Sequence, residues 1–218
     1  MNNITKTVWK YIDSDAAIRQ GLQKRVINTR GLAVYFIKRK KLDAEINAVI
    51  SAIRRYEDEQ AFEDSLNKVM DILKDSTLSS KSGIVSLTLE KTSETERALP
   101  KLFSVIDMSK QEALRIIQAS RSIKVIVDKK NLSKAKKMIP ERCIKKIDLN
   151  LAEVIILLDE RAWATPGVQA ALTTELTMSG INIIESMTCI PEMIFFFKEK
   201  DFLKAYNVLY SIGKDETK

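Results

Sequence analysis

Up to about Asp75, apolar positions along the chain recur at helical spacing, and beyond about Gly83 the pattern changes to strands alternating with helices. Val8, Trp9 and Ile12 fall on one face of a short helix over residues 5–12. Ser14 or Asp15 can cap a second helix, whose apolar positions are Ala17, Ile18 and Leu22. Asn28 can start a third, running through Leu32, Tyr35, Phe36 and Ile37. Ile46, Val49, Ile50 and Ile53 then follow the i, i+3, i+4, i+7 rule, which predicts an amphipathic helix to about Tyr56. Phe62, Leu66, Val69, Met70 and Leu73 form the stripe of another.

Leu78 to Gly83 has the composition of a turn-rich linker. Gly83 to Glu90 is β-branched and reads as a strand, followed by a helix carrying Leu99, Leu102, Phe103 and Ile106. Residues 112–120 and 122–128 read as a strand pair, 130–139 as a short helix and 143–149 as a closing strand. The pattern returns at a constant offset of 70: Val125-Ile126-Val127 meets Phe195-Phe196-Phe197, and Lys130, Asn131, Lys134 and Ala135 meet Lys200, Asp201, Lys204 and Ala205. At the same offset Ile84-Val85 meets Val154-Ile155, and Leu87 meets Leu157. A fixed period indicates a duplicated unit, and the order strand, helix, strand, strand, helix, strand is the ferredoxin-like βαββαβ arrangement. The expected fold class is α+β: an all-α, helix-turn-helix-like domain over residues 1–80, then ferredoxin-like units over 81–150 and 151–218.

Charge divides the chain in the same way. Of 36 Lys+Arg and 29 Asp+Glu, residues 1–56 hold 12 and 4, a net of +8, so residues 57–218 carry a net of −1. The basic quarter suggests an anion-binding head, with nucleic acid the first candidate. In a helix-turn-helix the second helix lies in the major groove with its first residues toward the bases. Here those would be Thr29, Arg30 and Val34, with Lys24 and Arg25 in the turn, while Lys38, Arg39, Lys40 and Lys41 suit phosphates as well as the negative end of the helix dipole. The same three-helix geometry serves in protein docking modules, so both readings stand at this stage.

The chain has no histidine, which excludes Ser-His-Asp, Cys-His and His-metal sites made within it. Cys143 and Cys189 lie far apart in the chain without a CxxC, so no disulfide framework or zinc site is expected, and Cys189 reads as a buried strand residue. The six glycines form no phosphate-binding loop, and Asp159-Glu160 are adjacent in a loop rather than opposed across a site. The longest stretch without a charge, Ala162 to Thr174, is too short to cross a bilayer, and the N-terminus lacks a signal-peptide core. A non-catalytic, cytoplasmic protein is expected, with no cofactor and no metal.

The second unit carries a more specific signature: a strand, a loop ending Thr165-Pro166-Gly167-Val168, an amphipathic helix, and then Ser179-Gly180-Ile181-Asn182-Ile183. In these residues it resembles an ACT domain of the aspartokinase type over most of its length. The resemblance implies a regulatory module that binds an amino acid or other small metabolite, commonly between paired domains, and therefore self-association as a dimer or larger assembly. It places the ligand loop at Ala164, Thr165, Pro166, Gly167 and Val168 and the facing strand at Asn182 and Ile183. The physical properties agree. Pro166 suits a first helical turn, Gly167 permits close approach, free helix N–H groups can hold a carboxylate, and Asn182 offers a donor and an acceptor. Ala164 stands where many such loops have Asp or Asn. Trp163 is either a packing residue or a cover for the ligand. The first unit has Glu96-Arg97-Ala98 at its matching helix start and Glu112 where Asn182 stands, so the second copy is the expected sensor and the first a scaffold. Three functions remain open: a ligand-responsive transcriptional regulator, an amino-acid-sensing subunit docking on a separate enzyme, or a purely structural module.

Overall fold

A computed structural model describes residues 3–59 and 63–212, and the chain divides into two compact units, residues 1–68 and 69–218. The first is helical: α1 (Asn3–Asp13), α2 (Ala16–Gln23), α3 (Thr29–Arg39) and α4 (Ile46–Glu59). Its start signals act as the sequence indicates. The Asp15 carboxylate accepts the N–H groups of Ala17 and Ile18 at 3.0 and 3.2 Å, and the Asn28 side chain accepts that of Gly31 at 2.8 Å. Val8, Ile12, Leu22, Phe36, Val49 and Ile53 are buried together. Two polar contacts join α1 to α4. Trp9 Nε1 donates to the Ala52 carbonyl at 2.9 Å, and the Tyr56 hydroxyl donates to Asp13 at 2.5 Å. Burial, together with this bond to a carboxylate, pushes Tyr56 up to about 12.

The helix α5 (Glu63–Lys74) reaches into the second unit, where Val69, Ile72 and Leu73 are buried. Met70, expected on the same stripe, is 40% exposed. Phe62 and the side chain of Leu66 lie outside what is described. The segment expected as a linker is strand instead: β1 runs from Thr77 to Glu90 without a break. It is followed by α6 (Ser93–Leu102), β2 (Leu114–Gln118), β3 (Ser122–Asp128), α7 (Leu132–Met138), β4 (Ile144–Leu157), α8 (Val168–Met178), β5 (Glu185–Cys189), β6 (Glu192–Lys198) and α9 (Phe202–Ser211). Phe103 and Ile106 thus fall beyond α6, with Phe103 exposed and Ile106 buried. The strand expected to close at Leu149 continues to Leu157, so the last strand of one repeat is also the first of the next.

All six strands form one antiparallel sheet in the order β2-β3-β1-β4-β6-β5. The sheet is folded over on itself. Strands are spaced about 4.8 Å apart, so in a flat sheet β2 and β4 would be roughly 14 Å apart. Yet Arg115 on β2 lies 3.0 Å from the Glu153 carboxylate on β4, and Lys124 on β3 pairs with Glu185 on β5, four strands away. The bend falls where the β1–β4 register slips, beside Gly83 (φ 70°) and Asn150 (φ 56°), both in the left-handed region. It brings the inner faces of the two halves together around Ile84, Ile126, Leu151, Ile194 and Phe196. Each outer face carries its own helices, α6 and α7 over Val85, Leu87 and Val125, and α8 and α9 over Val154, Phe195 and Phe197.

Each half has the ferredoxin-like strand order, with one strand exchanged. Ile84 to Glu90, β2, β3 and the first part of β4 make the first. The rest of β4, β5 and β6 make the second, whose fourth strand is Thr77 to Lys81, paired with residues 153–157. The burial of residues 84–90 is repeated along 151–157, so these strands match at an offset of 67. The offset of 70 holds for β3 with β6 and for the starts of α7 and α9. It does not hold for the first strands, because the connections that follow them differ in length.

Among the described residues, two carboxylates are buried. Asp128, 4% exposed, accepts the Ala113 N–H at 2.8 Å and pairs with Lys81 at 2.7 Å. Glu153 is 2% exposed. Burial raises its carboxyl above the ordinary value, and Arg115 only partly offsets this. A raised carboxyl favours folding while it is protonated, and that contribution is lost as pH rises through the folded value. Arg115→Ala should therefore cost about 3 kcal/mol at neutral pH and less near about pH 4, as chemical denaturation at the two pH values would show. Tyr56→Phe should cost about 1 kcal/mol at neutral pH. Its alkaline unfolding profile should lack the loss, between about pH 10 and 12, that ionisation of Tyr56 imposes on the parent.

Candidate functional site

Ten residues join the end of β4 at Leu157 to the start of α8 at Val168. The Leu158 N–H donates to the Pro191 carbonyl at 2.9 Å, which ties the beginning of this loop to the β5–β6 turn. Residues 160–163 then form a single 3-10 turn. Asp159 starts it, accepting the backbone N–H and Nε of Arg161 at 2.8 and 2.7 Å, and Arg161 also reaches Asp75 at 3.2 Å. The bond from Arg161 holds the Asp159 carboxyl below its ordinary value. Thr165 donates its hydroxyl to the Arg161 carbonyl at 2.8 Å. Asp159, Arg161 and Asp75 thus satisfy one another along the outer side of the loop.

Gly167 ends the loop at φ 104° and caps α8 with no side chain. A Cβ there would be strained and would lie 3.5 Å from Val69. The first helical N–H groups, those of Val168, Gln169 and Ala170, have no carbonyl partner within the helix, whereas Ala171 donates to the Gly167 carbonyl at 2.8 Å. Pro166 lies before the cap rather than in the first helical turn that the sequence suggests.

A cavity of about 230 Å³ lies between this loop and the β5–β6 hairpin. Leu158, Ala162, Trp163, Thr165, Gly167, Val168 and Gln169 line one side, and Thr188, Ile190, Pro191, Glu192 and Met193 the other. Of the residues the sequence singles out, Thr165, Gly167 and Val168 line it, whereas Ala164 and Pro166 belong to the loop but do not. Asn182 is exposed and Ile183 half-buried, both in the connection before β5 rather than in a strand. The 11 residues of α8 rise about 16 Å and so hold Asn182 and Ile183 at the opposite end from the loop. Trp163 is 62% exposed at the cavity wall and is not a core packing residue. Cys189, expected to be buried, is exposed on β5, whereas Cys143 is buried.

Sequence reasoning missed the hairpin side of the cavity, Thr188 to Met193. Pro191 is the signal it offered, because a proline between two short strand patterns marks a turn. Glu192 is the one charged residue among them, but it alternates with Met193 on β6 and pairs with Leu157 and Cys189, which puts its side chain on the sheet face of Ile194 and Phe196, away from α8.

The first repeat is closed at the matching place. Only Lys91 and Thr92 join β1 to α6, which begins at Ser93, three residues before the expected start. Thr92 caps the helix by accepting the Thr95 N–H at 3.2 Å, and the Thr95 hydroxyl donates to the Glu90 carbonyl at 2.7 Å. Glu112 is engaged internally. It accepts from the Asp107 N–H at 2.9 Å and the Asn131 side chain at 2.8 Å and pairs with Lys130 at 2.9 Å, bonds that hold it down at about 2.

In the helical unit Lys24, Arg25, Arg30, Lys38, Arg39, Lys40 and Lys41 are all exposed, and Thr29 and Val34 are half-buried. None of these cations forms an ion pair among the described residues; Lys40 stands 5.9 Å from the Tyr11 ring centre. Lys24 and Arg25 follow α2, Arg30 opens α3 and the basic run from Lys38 to Lys41 closes it. Among the described residues, no group of three or more His, Cys, Asp or Glu side chains could hold a metal ion, and no helix is long and apolar enough to cross a membrane.

No protein-family model and no curated protein sequence matches the chain. Solved structures do match. The α and β subunits of an aspartokinase align at 15% identity and a TM-score of 0.52, covering 67% of this chain and 99% of that one. The regulatory subunit of aspartate kinase from Thermus flavus aligns at 16% identity and 0.50, covering 62% and 95%. Aspartate kinase from Clostridium acetobutylicum aligns at 19% identity and 0.50, covering 62% of this chain and 34% of that one. The chain therefore spans about a third of the Clostridium enzyme's length and nearly all of the Thermus regulatory subunit's. At these identities the likeness shows the fold, that of the ACT-type regulatory domains of aspartate kinase.

The left-handed cap gives a direct check on the geometry. Gly167→Ala should destabilise the second unit by about 1 kcal/mol, whereas Trp163→Ala should change stability by less than about 0.5 kcal/mol, both read from chemical denaturation.

Proposed function

We propose that the chain is a non-catalytic, ligand-responsive regulator that senses an amino acid in the second repeat and binds duplex DNA through its basic helical unit. One observation carries the sensing half: the uncapped start of α8 opens on a small cavity lined mainly by apolar residues. A free amino acid carries a carboxylate and an ammonium on one carbon. The helix N–H groups match the first. The closed first repeat serves as the scaffold.

DNA binding is supported by the net charge of +8 over residues 1–56 and by the exposed cations on and around α3, none of which forms an ion pair among the described residues. Communication is supported by α5. Its residues Val69, Ile72 and Leu73 share a core with Val168 of the cavity wall, and Asp75, just beyond it, pairs with Arg161 of the loop. A ligand that favours one arrangement of the loop therefore biases α5 by no more than its difference in affinity for the two arrangements. Self-association and a cytoplasmic location belong to the same reading.

A second reading, an amino-acid-sensing subunit that docks on a separate enzyme, is favoured by the 95% coverage of a regulatory subunit's length. Duplex-binding measurements over a range of salt concentrations separate the two. Arg30→Ala with Lys40→Ala should weaken binding and reduce the slope of log affinity against log salt by about 2. No binding by the intact protein even at low salt, together with copurification of a stoichiometric enzyme, would select the second reading.

A further inference from the structure

We infer that the crease between the two half-sheets holds a binding site for a small oxyanion, a phosphate or carboxylate group, formed by Ser86, Lys124, Lys146 and Lys198. The site is separate from the cavity beside α8 and does not depend on the amino-acid reading of it. The repeat points to it. Exchanging β1 with β4 at the offset of 67, and β2 and β3 with β5 and β6 at 70, carries each strand pairing onto its counterpart. Lys81 opposite Glu153 becomes Asp148 opposite Ser86, and Ile84 opposite Asp128 becomes Leu151 opposite Lys198. Arg115, opposite Ile126, becomes Glu185, opposite Phe196. The half-sheets therefore meet through two equivalent polar clusters as well as through their shared apolar core.

The two clusters are filled differently. In the first, two cations meet two carboxylates: Lys81 pairs with Asp128 at 2.7 Å and Arg115 with the buried Glu153 at 3.0 Å. In the second the first pair is reversed, Asp148 taking Lys198 at 3.6 Å. Two further lysines join it, Lys146 on Asp148 at 2.9 Å and Lys124 on Glu185. Three cations thus share two carboxylates. Burial opposes the charge on Asp148, yet Lys146, Lys198 and Lys124 together hold its carboxyl below the ordinary value. Where Glu153 supplies a buried carboxylate to the first cluster, the second has Ser86, whose side chain stops at a hydroxyl. Ser86 is 1% exposed, and among the described residues its Oγ is the one buried side-chain oxygen or nitrogen without a hydrogen-bond partner. A buried hydroxyl left unpaired is costly, and an acceptor brought from solution would relieve it. Its register against Ile126 and Asp148 turns Ser86 to the inner face, which Lys124 and Lys146 share two residues along the neighbouring strands. The side chains of Lys124, Lys198 and Lys146 are 24%, 39% and 66% exposed, so the cluster opens to water with the serine at its floor. An oxyanion there accepts from the hydroxyl, meets the excess positive charge and takes the part that Glu153 plays in the first cluster.

The test is calorimetric titration of the full chain with inorganic phosphate and with acetate, against chloride at equal ionic strength. At least one of the two should bind at millimolar concentration or below; tighter phosphate identifies a phosphate ester as the source, tighter acetate a carboxylate. Lys146→Gln, at a side chain exposed enough to leave the fold intact, should weaken binding at least fivefold, and Ser86→Ala should weaken it severalfold. Arg30→Ala with Lys40→Ala, in the basic helical unit, should leave it unchanged. Ser86→Glu copies the first cluster: it should abolish binding and unfold at no lower denaturant concentration than the parent. If Ser86→Glu does not fold, Lys146→Gln and Ser86→Ala still decide. No heat from either anion beyond the chloride control would overturn the site, as would binding that Lys146→Gln and Ser86→Ala leave unaltered. Binding lost in Arg30→Ala with Lys40→Ala would place the anion on the helical unit and overturn it too. Each of these failures leaves the reading of the cavity beside α8 standing.

Discussion

Two residues in left-handed backbone, Gly83 and Asn150, set the architecture of the second unit, because β1 and β4 are each too long to serve one flat four-stranded layer. At these points the strands slip in register and turn, and the inner faces of the two half-sheets close on each other. Without the bend Ile84, Ile126, Ile194 and Phe196 would be left in water, and Arg115 and Lys124 would lie far from Glu153 and Glu185. The same bend commits both helix pairs to the outside, so the β4–α8 loop and the β5–β6 hairpin meet at one end of the second half.

That end differs between the repeats because one connection has two residues and the other ten. In the first repeat Thr92 and Thr95 complete the helix start with their own hydroxyls. In the second a glycine leaves the helix N–H groups open, and the longer loop stands away from the helix to enclose a space. Duplication supplied two equivalent frames, and loop length with cap chemistry separated the closed one from the open one.

Much of this arrangement is legible in the residues. Asp15 and Asn28 announce their helices, and β3 with α7 repeats in β6 with α9 because buried faces recur at a constant spacing. The strand Thr77 to Lys81 is illegible for a physical reason. Its Ser and Lys side chains suggest a turn, while its backbone pairs with Glu153 to Leu157, and backbone pairing depends little on side-chain identity. The offset of 67 between the first strands is hidden behind 70 by the loop that follows β4. Pro166 and Gly167 mark the loop in the sequence. Thr188 and Met193 give no signal, since only the hairpin's return to the end of β4 brings them to the cavity. Asn182 enters the candidate site by resemblance, and the length of α8 separates it from the loop within one chain.

The proposed regulator depends on a connection between the cavity and the helical unit's cations. α5 is the element that could carry it, since its buried residues and neighbouring Asp75 contact the loop that would respond to a ligand. Linkage requires that such an effect be reciprocal: a ligand that changes DNA affinity must itself bind differently when DNA is present. The most direct test is the fluorescence anisotropy of a labelled duplex titrated with the full chain, with and without a saturating amino acid that calorimetry shows to bind it. A shift in duplex affinity of fivefold or more, lost in Gly167→Leu, is the predicted result; identical curves with the amino acid demonstrably bound would contradict the account.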